Sequence, residues 1–88
     1  MPVIWDPQKE RTLLSGRGIA LSEIADLLLA GKYQAILENP SRPAQMVFIV
    51  PYHGYTHVVP FVIDNDGNII LKTAFPSRKF HVIYGEKP

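Results

Sequence analysis

The sequence predicts an α+β domain with two helices first, an antiparallel four-stranded meander next, and a short helix at the end. Three observations carry this. Leu21, Ile24, Ala25 and Leu28 fall at i, i+3, i+4 and i+7, the period of a helix with one apolar face. Residues 55–63 and 69–75 are β-branched and aromatic runs that suit a pleated, largely buried surface. Between them, Asp64, Asn65, Asp66, Gly67 and Asn68 all favour turns, and so short a loop joins antiparallel strands.

The elements follow in order. Residues 2–5 are short and apolar, fit for an edge strand, where Pro2 is permitted. Asp6 and Pro7 read as N-cap and first helical position. That helix should run to about Ser15 and break at Gly16 to Gly18; with few apolar residues (Leu13, Leu14) it lies on the surface. The second helix is widened by Leu27 and Leu29 and closed by Gly31, a natural C′ residue. Its N-cap is either Ala20, with Glu23 at N3, or Ser22, which has the better side chain. Strands are expected at 33–37, 46–52, 55–63 and 69–75, with a Pro-containing loop at 38–43 and a tight turn at His53 and Gly54. Pro60 is the misfit: inside a strand it deletes a ladder hydrogen bond, so a bulge or an outward-facing edge is expected there. Pro76 then opens a last turn of helix, Ser77 to about Ile83. The whole, 1–88, reads as one domain with a helical part at 1–31 and the sheet with its basic segment at 32–88.

Composition narrows the function. A chain of 88 residues buries a limited fraction of its surface. With 47% hydrophobic residues it should also expose apolar surface that a partner protein covers. The absence of Cys removes disulfide and thiolate–metal frameworks. No signal-like N-terminus and no apolar run of membrane-spanning length occur, so a cytoplasmic protein without a membrane role is expected. A net charge of +1 is too small to argue for nucleic acid, but its distribution says more. No acidic residue lies between Gly67 and Gly85, where Lys72, Arg78, Lys79 and His81 are found, and such a cluster can hold a phosphate.

Other chemistries are poorly served. The two helices around Gly16-Arg17-Gly18 could pass for a helix-turn-helix, but the second carries no Arg, Lys, Asn or Gln to reach base edges. His53 and His57 flank a hairpin turn with no third ligand near, so no metal site is expected, and no cofactor. No phosphate-binding Gly loop and no nucleophile elbow are present. RNA cleavage without metal needs a phosphate fork, a point donor for spread charge and a proton-transfer group. Arg78 fits the first, Lys72 and Lys79 the second, and His81 or Tyr84 the third. On a helix Arg78 and His81 would share a face. Arg42, in the Pro-containing loop, is expected to contribute little.

The order of motifs resembles the BrnT-like toxins of type II toxin–antitoxin systems, in the RelE/ParE superfamily. The residues that carry the resemblance are Trp5-Asp6 with Lys9, Gly18-Ile19, Gly54-Tyr55, Val58-Val59-Pro60-Phe61-Val62, and Pro76-Ser77-Arg78-Lys79 with Tyr84. Between the helices, where those toxins usually carry a Lys-His-Gly type sequence, this chain has Gly16-Arg17-Gly18. The resemblance implies a RelE-like sheet with two packed helices and a toxin that inhibits translation as an endoribonuclease. It implies RNA as partner (mRNA, free or ribosome-associated), a cognate antitoxin encoded nearby, and room for a homo-oligomer. It also places Arg78 at the family's arginine after the last strand and Lys72 at a basic position on that strand. The alternative is a non-catalytic protein-binding module of the same fold, for example a ParE-like inhibitor of a protein target.

Overall fold

The computed structural model describes residues 2–85, so the expected domain limits at 1 and 88 lie outside the described residues. The chain forms β1 (Val3–Trp5), α1 (Pro7–Arg17), α2 (Leu21–Leu29), β2 (Ala35–Glu38), β3 (Met46–Tyr52), β4 (Tyr55–Ile63), β5 (Ile69–Leu71), β6 (Phe75–Pro76) and α3 (Arg78–Tyr84). The α+β class holds, as do both N-terminal helices and the hairpin around Gly67.

The sheet departs from the expected four-stranded antiparallel meander. It has six strands in the order β1-β5-β4-β3-β2, with β6 also on β4, and it is mixed. The segment expected as an edge strand joins parallel to β5, with Val3 opposite Ile69 and the Ile69 N–H donating to the Pro2 carbonyl at 2.9 Å. Parallel neighbours need a long crossover. Here α1 and α2 supply it together with the rest of the sheet, and sequence spacing gives no sign of a pairing 66 positions apart.

The expected fourth strand is also split, and Pro60 explains why. Phe61 faces Leu71, so an unbroken ladder would bring Val58 opposite Ala74; instead Val58 faces Phe75. One extra residue has entered the strand beside Pro60, at the place where the missing N–H leaves the ladder weakest. The Lys72 N–H still donates to the Pro60 carbonyl at 2.9 Å. The slip changes which way the side chains face. Leu71 and Ala74 both enter the core under the helices, which leaves Lys72 and Thr73 together on the opposite face. The disruption expected from Pro60 is therefore real, but the bulged strand is its neighbour.

Each sheet face carries its own cluster. Phe48, Val50 and Tyr52 of β3 with Val59 and Phe61 of β4 pack against Leu13, Leu21, Ile24 and Leu28 of the two long helices. Val47, Ile49 and Val58 face the other way, covered by Phe80 and Tyr84 of α3 and by Ala35 and Leu37 of β2. The helix ends follow local rules. Asp6 accepts the Gln8 N–H with Pro7 in the first turn, and Gly18 and Gly31 take φ of 67° and 72° at the C-terminal ends of α1 and α2. No helix among the described residues is long and apolar enough to cross a membrane.

A candidate basic cleft

A cleft of about 780 Å³ opens on the sheet face that α3 covers only in part. Its floor is Val47, Val58 and Pro60; one wall is the loop that follows β2, the other is the start of α3, with Ser77, Lys79 and Phe80. Four cationic side chains line it, each from a different segment: Lys9 from α1, Arg42 from the loop, Lys72 from the bulge and Lys79 from α3. One acidic residue, Glu38 at the end of β2, also contributes to the lining. Among the described residues the single approach of a basic nitrogen to a carboxylate is His53 Nε2 to Glu23 Oε1 at 3.7 Å, so the four cations stand without a contacting carboxylate. Converging uncompensated cations on a concave apolar floor raise the local positive potential, the arrangement that attracts an anion.

The walls are held by hydrogen bonds. Asn39 N–H donates to the Gln45 carbonyl at 3.3 Å, Arg42 N–H to the Asn39 carbonyl at 3.2 Å and Gln45 N–H to the Arg42 carbonyl at 2.9 Å, closing the loop on itself. The Asn39 Oδ1 accepts the Ser41 N–H at 3.1 Å. On the facing wall Ser77 caps α3 by accepting the Phe80 N–H at 3.2 Å, and its own N–H donates to the Thr56 carbonyl at 3.0 Å. The Lys79 ammonium lies 5.3 Å from the centre of the Phe80 ring, within reach of a cation–π contact.

Of the five residues singled out from the sequence, the structure brings Lys72 and Lys79 together in this cleft. Arg78 is exposed at the first position of α3 and does not line it. His81 faces a separate hollow with Gln34, Gly54, Tyr55 and Thr56. Its ring stacks on Tyr55 at 4.1 Å, and Nδ1 accepts the Thr56 N–H at 3.2 Å with the Thr56 hydroxyl at 2.9 Å. Arg78 and His81 do lie on one helix, but one points to solvent while the other is turned to the sheet. Tyr84 packs against the cluster of Val47, Ile49 and Val58, and its carbonyl accepts from the Gln34 side chain at 2.8 Å. Arg42, expected to do little, lines the cleft, as do Lys9 and Glu38. No local pattern marks these three, which come from a helix, a strand end and a loop.

The two other histidines are apart in environment. His53 is exposed at the β3–β4 turn with φ of 50°, and His57 is buried, its Nδ1 on the Tyr55 carbonyl at 2.9 Å. Burial holds the His57 imidazole below its ordinary range, which favours the neutral ring. Among the described residues no three His, Asp or Glu side chains converge as a metal-holding group. Comparison with protein-family models, with curated proteins and with solved structures returns no match, so the cleft itself carries the functional argument.

Proposed function

We propose that this chain is a metal-independent endoribonuclease of the toxin kind and that the basic cleft is where it holds RNA. The supporting observation is that Lys9, Arg42, Lys72 and Lys79, which contact no carboxylate among the described residues, line one cleft over an apolar floor. A phosphodiester passing to a phosphorane gains charge, and cations gathered in one cleft stabilise that charge more than the ground state. Arg42 supplies the planar fork for one phosphate and the lysines supply point charge. In this reading the phosphate-holding part that the sequence suggests for Arg78 falls to Arg42, while Lys72 and Lys79 supply charge and His81 and Tyr84 act in holding α3. The run of short motifs that resembles the BrnT-like toxins accords with this reading.

The test is RNA cleavage by the purified chain in EDTA. Arg42→Ala and Lys72→Ala are each expected to lower the cleavage rate by about 10²-fold, the usual cost of removing one donor to a developing oxyanion. Arg78→Ala, measured beside them, is expected to change it little. Cleavage that EDTA abolishes and zinc restores would sink the metal-independent mechanism.

A second reading has its own support. At the sheet end that α1 and α2 leave uncovered, Leu29 (63% exposed), Ile63 (56%), Ile36 and Met46 surround an apolar hollow with no charged residue in its lining. Such a surface suits a protein partner: an antitoxin in the first reading, the target itself if the chain is a non-catalytic binding module. Ile63→Asp is expected to abolish co-purification with the product of a neighbouring gene and to leave RNA cleavage intact.

A further inference from the structure

We infer that Phe75 is a base-stacking platform in the basic cleft and that the strand it selects is single-stranded RNA; this deepens, and rests on, the RNA reading above. Cations alone recognise a phosphate chain whether its bases are paired or not. An aromatic face adds a demand for an unpaired base, because in a duplex the base faces are stacked on one another.

The register of β6 puts the ring on the cleft side. Phe75 stands directly opposite Val58 in the antiparallel pairing of β6 with β4. Directly opposite residues share a sheet face, and Val58 belongs to the cleft floor. Ala74, one position earlier, enters the core under α1 and α2, as strand alternation requires. Lys72 is close along the same strip. Its N–H bonds to the Pro60 carbonyl at 2.9 Å, and Pro60 lies two positions from Val58, about 7 Å along β4. An aromatic ring and a cation thus line the cleft from adjoining positions.

A single exposed Phe is common on any protein surface and by itself signifies nothing. Phe75 differs in two respects. It is 37% exposed within a concave basic surface. It also has no ring partner among the described residues, whereas every tyrosine and each of the other phenylalanines has one. Phe80, the other ring in the lining, is already engaged. It packs on the cluster of Val47, Ile49 and Val58, and the Lys79 ammonium lies 5.3 Å from its centre. Phe75 is the ring left for a ligand, and a groove that joins cations to an unpaired ring is the arrangement that holds unpaired nucleotides.

The experiment measures binding by the full chain to three uncleavable probes: a 2′-O-methyl single-stranded RNA of mixed sequence, its duplex with the complementary strand, and an abasic strand of equal length. Phe75→Ala is expected to weaken single-strand binding by about tenfold, the usual loss on removing one stacking ring. The slope of log affinity against log salt should stay at the wild-type value, because no charge is removed. Affinity for the duplex and for the abasic strand should not change. Phe75→Leu keeps an apolar side chain without an aromatic face and should behave as Phe75→Ala does. Phe75→Trp should keep the wild-type affinity and show a quenching of indole emission by the single strand that wild type, with Trp5 alone, does not show. Wild-type affinity in Phe75→Ala, full affinity in Phe75→Leu, or an equal loss on all three probes overturns the assignment to Phe75 and leaves the RNA reading of the cleft standing. A wild type that binds none of the three probes overturns the RNA reading itself, and Phe75 with it.

Discussion

Tyr52 shows how single residues replace what local sequence leaves out. Helix α2 begins at Ala20, which has no capping side chain, while Glu23 stands at N3 where a capping box would place it. Glu23 does not reach back to Ala20 directly. The Tyr52 hydroxyl lies between them, accepting the Ala20 N–H at 3.1 Å and donating to Glu23 Oε1 at 2.6 Å. Glu10 takes the next free donor, with Oε2 on the Ser22 N–H at 2.8 Å and Oε1 on the Trp5 indole at 3.3 Å. Tyr52→Phe leaves a helix-end N–H without its acceptor, so a loss of roughly 1–3 kcal/mol is expected in chemical denaturation. An unchanged midpoint would mean that water takes over the hydroxyl's place.

Acid should act on Glu10 and on His57. The Ser22 N–H, the largest cause, holds the Glu10 carboxyl below its ordinary 4.5, and burial holds His57 below 6.5. Both folded-state values are depressed, so both groups contribute stability that is complete above the unfolded value and lost as pH falls toward the folded one. Stability is expected to be level above neutrality, to decline below about 6.5 through His57, and to decline again below about 4.5 through Glu10. Denaturation midpoints of His57→Gln across pH should lack the first decline. If they keep it, another group is responsible.

Among the elements, α3 is the one whose placement decides the cleft. It has no fully buried residue and is held by Phe80 and Tyr84 on the cluster of Val47, Ile49 and Val58, by His81 on Thr56 and by the Gln34 bond to the Tyr84 carbonyl. Gly85 closes it for a steric reason: a Cβ there would run into the His81 carbonyl and ring. Gly85→Ala is therefore expected to loosen α3, with roughly 1–3 kcal/mol of overpacking concentrated on a short element. Amide exchange over residues 78–84 should speed up while β3 and β4 stay protected. Uniform acceleration would mean that α3 is part of the global unfolding unit. The β3–β4 turn is set the opposite way, by conformation: His53 and Gly54 take φ of 50° and 76°, as a two-residue turn with matching twist requires. Replacing His53 with Asn, which adopts this geometry more readily, should leave the hairpin intact and stabilise it slightly, a shift read from the thermal midpoint.

At the scale of the molecule the issue is charge. A net charge of +1 predicts weak attraction to nucleic acid, yet the cleft concentrates four cations on one face. Each cation that meets a phosphate releases counterions, so every one removed should lower the slope of log affinity against log salt by about 0.7 for single-stranded RNA. Lys9→Ala, Arg42→Ala, Lys72→Ala and Lys79→Ala are each expected to show that drop, and Arg78→Ala to keep the wild-type slope. Titration of fluorescent RNA at several salt concentrations measures it. Equal slopes in all five variants would place the RNA on another surface.

The sequence by itself determined whatever depends on near neighbours. Helical period and end residues marked both N-terminal helices within about two residues, Ser77 and Pro76 marked α3, and the Asp64–Asn68 run marked the hairpin. Pro60 announced a broken ladder because a missing N–H is a property of one residue. Tertiary structure alone decided the rest. The parallel docking of β1 joins segments 66 positions apart, with no local signal for either partner. The N-cap of α2 depended on a hydroxyl from β3. The cleft was legible only in part: Lys72 and Lys79 stood out as cations in a stretch without acids, but Lys9, Glu38 and Arg42 reach it from three other segments. Linear proximity placed Arg78 at the centre, whereas the direction of its helix position leaves it outside. Side-chain direction on a short helix is fixed by what the helix packs against, and only the folded sheet supplies that surface.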